Sequence, residues 1–407
     1  MSLSARMYKL QGIIQHYSWG GYEFIPTLLG EKNKEGEPYA EYWLGAHPNH
    51  SARILPGNIS LKDFLDKDPV AVLGEEVAKE YHGLPFLCKI LDVRQMLSIQ
   101  VHPTATEAEK GYRSEEEKGI PVNAFNRNYK DRNAKPELMI ALGDFWLLHG
   151  FKNSVNMGMV FDATPELQPL RSLFEEGGHK ALFEEVMLME DVKVNSILEP
   201  LLERILPLYE NNELEKEEED FWAARAAKTY CSNGKYDRGI LCIYFFNLVY
   251  LRKGEGVFQP EGMPHAYLEG QNIEVMSNSD NVLRAGLTGK HVDVKELLKH
   301  VKFESTTPSI LSTGPREQKF FETPADSFAL YQLQPDEGKT IEIDTWSAEI
   351  YLQMEGESVF TCGSQEIKMG RGDALLVTAG NTISIQSLTD LTLFRVTVPV
   401  PSKNKSD

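Results

Sequence analysis

Apolar positions along the chain fall into three textures. Up to about residue 150, short apolar runs alternate with Gly, Pro and Asn. The runs 85–91 (PFLCKIL), 96–101 (MLSIQV) and 137–142 (ELMIAL) predict buried strands joined by tight loops. The segment 104–118 (TATEAEKGYRSEEEK) is different. It is charged and predicts a helix, with Thr104 as N-cap and Glu107 in the capping-box position.

From about 153 to 230 the period lengthens. Leu167, Leu170, Leu173 and Phe174 recur at helical spacing. So do Leu182, Phe183, Val186 and Met187, and after them the residues from Ile197 to Leu206. This stretch predicts an inserted helical domain, with the acidic run 213–220 as a solvated face or turn. Strand texture returns at Gly239, where 239–249 (GILCIYFFNLV) predicts a buried strand. A second β block covers 327–400, with strands at 349–354, 357–361, 374–377 and 391–398. Gly-rich turns beside apolar strands at 254–260 and 370–379 hint at two related β-barrel halves. The polar tail 402–407 is expected to fray.

A chain of 407 residues exceeds one simple core, so two or three domains are expected. Its formal net charge of −18 argues against nucleic acid, whose phosphates demand a basic face. An anionic small substrate then needs a local island of Lys and Arg. The four cysteines, Cys88, Cys231, Cys242 and Cys362, show neither a CxxC pair nor a disulfide framework. The start, MSLSARMYKL, has no apolar signal core, and no run approaches a membrane span. The expected compartment is the cytosol, and no membrane partner is expected.

Candidate chemistry concentrates in four segments. In 97–103 (LSIQVHP), strand alternation puts Ser98, Gln100 and His102 on one face. A lone Gln-x-His is most often a satisfied polar pair. However, Glu137 follows Lys135-Pro136 at the mouth of another apolar strand, and His265 opens a third. Two imidazoles, one carboxylate and one amide form a donor set that Zn²⁺ accepts with a position left open, and no thiolate closes it. Buried polar packing remains the alternative. Glu274, Asp280, Arg284 and Lys290 follow within 273–293 (IEVMSNSDNVLRAGLTGKHVD). Read as a solvated loop they do nothing; near a metal, the Arg and Lys suit an anionic sugar phosphate.

The segments LSIQVHP, KPELMIAL, PEGMPHAYLEG and SDNVLRAGLT, in this order, closely resemble the signatures of the type I mannose-6-phosphate isomerases. So do Tyr17-Ser18-Trp19-Gly20, the run 40–48 (AEYWLGAHP) and 84–89 (LPFLCK). The resemblance covers about 8–300 closely and the remainder loosely. It implies a mainly β fold: two cupin-like jelly-roll barrels with an α-helical insertion. The catalytic cupin domain would comprise 1–152 and 231–320, the insertion 153–230, and the C-terminal cupin-like domain 321–407. It further implies one Zn²⁺ on Gln100, His102, Glu137 and His265 and a catalytic role for Arg284; of the residues around it, Glu274 is the expected proton shuttle and Lys135 the next candidate. Trp19, Ser98, Lys89, Tyr267, Asp280 and Lys290 would bind substrate, with Ser98, Lys89 and Lys290 nearest its phosphate. The expected partner is a small sugar phosphate, and the expected state a monomer or weak homodimer. Many members carry Asn-His-Lys-Pro-Glu where this chain has Asn133-Ala134-Lys135-Pro136-Glu137, which puts any essential proton transfer by that His in doubt. Another sugar isomerase, a redox cupin and an inactive sugar-binding cupin are the competing readings.

Overall fold

The computed structural model describes residues 6–232, 234–312 and 317–400, so the tail 402–407 lies outside the described residues. It is mainly β-sheet with helices set between the strands.

The ten-stranded sheet carries the predicted site. Its spine is the long strand His265–Ser277, which pairs antiparallel with Phe86–Val93, Glu137–Ala141 and Phe145–Phe151. Phe145–Phe151 (FWLLHGF) is buried throughout because both its faces are covered. Phe145 and Leu147 pack with Leu91, Met139 and Tyr267 inside the sheet, whereas Trp146 and Leu148 pack outward on the helices.

The helical texture is borne out by Ser154–Ala163, Arg171–Leu188, Asp191–Glu210 and Glu219–Tyr230. Thr104 caps Ala105–Glu117 as expected, its Oγ1 accepting the Glu107 N–H at 3.4 Å. The reciprocal half of the capping box is replaced, because the Glu107 carboxylate takes the Lys110 ammonium at 3.3 Å.

Two strand expectations need correction. The run 239–249 is not one strand: Gly239–Phe245 is a helix, and the strand Phe246–Leu251 begins only after it. All seven helical residues are buried, and an apolar run enclosed on every side carries no period that separates helix from strand. Within 96–101 only Ile99–Val101 joins a ladder.

The C-terminal β block divides between a four-stranded sheet and an eight-stranded one, and Met7–Gln11, Arg53–Leu55 and Ile59–Ser60 belong to the eight-stranded sheet as well. Met7–Gln11 pairs with Ala374–Val377, with Tyr8 opposite Leu376. The start of the chain is thereby fixed to its last β block through a shared core that includes Tyr8, Leu10, Leu352 and Leu376. Inside this sheet Glu349, fully buried, accepts Arg395 Nε at 2.8 Å. No helix among the described residues is long and apolar enough to cross a membrane.

Candidate metal and substrate site

His102, Glu137 and His265 converge from three strand ends, with their ligand atoms all within 4.8 Å of one another. Backbone carbonyls fix both imidazoles. Nδ1 of His102 faces the Asn281 carbonyl at 2.8 Å, and Nδ1 of His265 faces the Met263 carbonyl at 2.9 Å. A carbonyl only accepts, so each Nδ1 carries a proton, and a ring in the neutral form turns a lone pair outward at Nε2. Those lone pairs point at carboxylate oxygens: His102 Nε2 lies 3.4 Å from Glu137 Oε1, and His265 Nε2 3.2 Å from Oε2. Burial pushes the His102 imidazole down to about 4, so it does not charge to relieve this. His102 Nε2 is also buried without a hydrogen-bond partner. A cation shared among the three groups satisfies every lone pair at once, so the residues present fit a divalent metal. Gln100 lines the same pocket, its residue lying opposite His265 on one side and Arg284 on the other. Burial alone would raise the Glu137 carboxyl, but Lys135, 3.0 Å away, holds it well below the usual range.

Next to this cluster runs a chain of buried polar contacts. Gln259 donates to the Tyr267 hydroxyl at 3.1 Å, which in turn donates to Glu274 Oε1 at 2.8 Å. Lys89 donates to Glu274 Oε2 at 3.1 Å and lies 3.7 Å from Glu41. Burial works against charge on Lys89, but Glu274 and Glu41 outweigh it and keep the ammonium charged. Burial raises the Glu274 carboxyl, with Lys89 opposing.

Every candidate site residue from the sequence except His102 lines one pocket of about 750 Å³. His102 sits just behind it. Asp280 accepts His47 Nε2 at 3.0 Å; burial would raise its carboxyl, but His47 holds it down at about 2. Burial lowers the pKa of Arg284, whose Nε is buried and unpartnered. Lys290, at the pocket mouth, is lowered by partial enclosure and then by repulsion from Arg284 and Lys130. Neither Arg284 nor Lys290 has an ion-pair partner among the described residues. Trp19 stacks on Tyr17 at 5.9 Å, and Ser98 opens to the cavity beside Gln100.

Over residues 7–154 the sequence matches the family profile described as phosphomannose isomerase type I, catalytic domain. It is 35% identical over 386 residues to the mannose-6-phosphate isomerase of Shigella flexneri, a match covering 92% of this chain and 96% of that protein. The chain belongs to the type I phosphomannose isomerase family. A Mus musculus mannose-6-phosphate isomerase is 30% identical over 432 residues, covering 96% of this chain and 98% of that one. Among solved structures, the Salmonella typhimurium mannose 6-phosphate isomerase bound to substrate and a zinc atom superposes with a TM-score of 0.87. It is 33% identical and covers 97% of this chain and 100% of that chain.

Several residues that the phosphomannose isomerase signatures did not single out are structurally central here. Asn281 is fully buried, and its side chain binds the backbone of the single stretch 130–133. Oδ1 accepts the Lys130 N–H at 2.8 Å, while Nδ2 donates to the carbonyls of Asp131 and Asn133 at 2.9 Å each. The same residue's carbonyl orients His102. It therefore couples one metal-type ligand to the segment that leads into Lys135 and Glu137. The one sequence signal for it was its place inside SDNVLRAGLT. Gln259 was silent in the sequence, and His47 appeared only as part of the segment 40–48, because their partners, Tyr267 and Asp280, become neighbours only across strands and loops.

Proposed function

We propose that this protein is a zinc-dependent aldose–ketose isomerase that interconverts mannose 6-phosphate and fructose 6-phosphate through a cis-enediol. One observation carries the reading. Gln100 stands in register between His265 of the metal-type cluster and Arg284, a half-buried guanidinium without an ion-pair partner among the described residues, which supports metal donors and an anion holder sharing one pocket.

Zn²⁺ held by Gln100, His102, Glu137 and His265 would supply polarisation of a sugar hydroxyl or carbonyl oxygen. The chain's own residues do the remainder. Glu274 takes the proton from C2 of the open-chain aldose and returns it to C1. Its burial-raised pKa suits a group that must both accept and donate. Lys89 and Tyr267 hold its two oxygens and fix its direction. Lys135 is the second candidate for proton transfer, though it already faces Glu137. Ala134 offers no proton-transferring side chain. Arg284, always protonated, faces the developing enediolate oxygen.

The phosphate assignment shifts relative to the family resemblance. Lys89 is committed to two carboxylates, so the phosphate is better served by Lys290 and Lys130 at the mouth, with Ser98 deeper in the pocket. Asp280, held anionic by His47, would repel phosphate and instead suits a sugar hydroxyl. In the same reading, residues 1–152 with 231–320 form a catalytic cupin-like unit interrupted by the helices of 153–230. Residues 321–407 form the second β unit, which the first strand enters. The expected partner is the small sugar phosphate, with the protein a monomer or weak homodimer in the cytosol.

The test is a coupled isomerase assay on mannose 6-phosphate before chelation, after it, and with zinc restored. Activity lost to the chelator and recovered with zinc supports the reading. No turnover by zinc-loaded protein would remove the substrate assignment.

A further inference from the structure

We propose that Asp237 is a positioning residue that shapes the 287–290 turn for a phosphate group; this rests on the reading of the pocket given above. Asp237 lies on the segment that leaves the helical insertion. Its Oδ1 accepts the Gly239 N–H at 2.7 Å and the Leu287 N–H at 3.0 Å, and its Oδ2 faces the Thr288 N–H at 3.3 Å. One carboxylate thus gathers backbone donors from two segments 50 residues apart in sequence.

The fit between those segments is close. A Cβ at Gly286 would lie 2.6 Å from Gly239 Cα, and a Cβ at Gly239 would lie 2.8 Å from the Leu287 nitrogen. Leu287 itself is held at φ +52°, a left-handed conformation that a branched residue does not adopt unaided. Two adjacent N–H groups on one carboxylate are what hold it there. Thr288 Oγ1 then accepts the Lys290 N–H at 3.0 Å, and Thr288, Gly289 and Lys290 form pocket wall beside Arg284.

The other side of the latch is anchored in the helices. Arg238 donates to the Met187 carbonyl at 2.6 Å and to Asp191 at 2.8 Å. The insertion thereby fixes the height and direction of Lys290 at the pocket mouth without touching the ligand. Asp237 is not part of the pocket wall, and its charge is directed at peptide donors, so it serves the anion site without repelling an anion from within it.

The test is calorimetric titration of zinc-loaded wild type, Asp237→Asn, Lys290→Ala and the double variant with inorganic phosphate, with zinc content and kcat and KM measured alongside. Asp237→Asn keeps the size of the side chain but turns one acceptor into a donor. Its phosphate Kd and its KM for mannose 6-phosphate should rise roughly tenfold, about one charge-assisted hydrogen bond's worth. Its kcat should move less than its KM, and zinc should be retained. The double variant should bind phosphate no more weakly than Lys290→Ala, because both act through the same ammonium. Unchanged phosphate affinity in Asp237→Asn overturns the proposal, as does full additivity with Lys290→Ala. Loss of fold or zinc in both Asp237→Asn and Asp237→Ser also overturns it, by placing the role in the whole structure. A wild type that binds phosphate but does not turn over mannose 6-phosphate would defeat the function reading alone, and the phosphate titrations would still decide the role of Asp237.

Discussion

Lys89 and Glu274 stand directly opposite one another on neighbouring strands, and the ammonium donates to Glu274 Oε2 at 3.1 Å. The pairing fixes the carboxylate that the proposed chemistry requires as a base. With Tyr267 holding the other oxygen, the free lone pairs of Glu274 have one direction left, toward the cavity. Replacing Glu274 by Gln keeps the shape and removes the base. Turnover should fall by ~10²–10⁴-fold, the usual contribution of a general acid–base group. Solvent deuterium should no longer enter C2, while zinc content stays at the wild-type level. Normal exchange at C2 in this variant would sink the assignment.

Asn281 ties His102 to the segment that carries Lys135 and Glu137, so its loss should loosen the metal site before it affects the fold. We expect Asn281→Ala to weaken zinc binding by roughly 10–100-fold, the range typical of residues that orient metal ligands. A competition titration against a chelator measures this. Wild-type zinc affinity would leave Asn281 as ordinary loop structure.

The Glu349–Arg395 pair sits inside the eight-stranded sheet, with Glu349 fully buried and Tyr351 donating to the same carboxylate. Arg395→Ala leaves that carboxylate buried and unpaired, and should cost about 3–5 kcal/mol. Replacing both partners by apolar residues of similar volume should cost much less. Denaturant unfolding of the two variants separates the outcomes.

Glu269 joins the strand His265–Ser277 to the helical insertion by accepting from both Lys216 and Arg225. Burial would raise its carboxyl, but the two cations outweigh it, so its folded-state pKa lies below the ordinary 4.5. A depressed carboxyl stabilises fully above the unfolded value and loses that contribution as pH falls through the folded one. Stability should therefore drop on acidification below about pH 4.5, and Glu269→Gln should flatten that part of the curve. Urea unfolding at a series of pH values checks it. Equal slopes in the two proteins would contradict it.

By itself, the sequence determined the local elements whose period was unambiguous. The helices Arg171–Leu188 and Asp191–Glu210 announce themselves at three- and four-residue spacing because Leu182, Phe183, Val186, Met187, Ile197, Leu198, Leu201 and Leu202 turn toward one core. Thr104 marks its helix start because capping chemistry is local. It also pointed to the chemistry: His102, Glu137 and His265, which the fold brings together, were legible through their donor types and signature segments, without a distance.

What required the tertiary structure was whatever depends on enclosure or on contacts between distant segments. The run 239–249 is apolar on every side, so only packing against the insertion decides that its first half is helical. Met7–Gln11 gives no sign that its partner lies more than 350 residues away, because strand pairing leaves no mark on either strand alone. Lys89 reads as a free cation until Glu274 and Glu41 are brought beside it, whereas Lys290 is left without an ion-pair partner among the described residues. Side-chain type and period are properties of a segment. Charge compensation, burial and the direction of a lone pair are set by neighbours that the fold alone brings together.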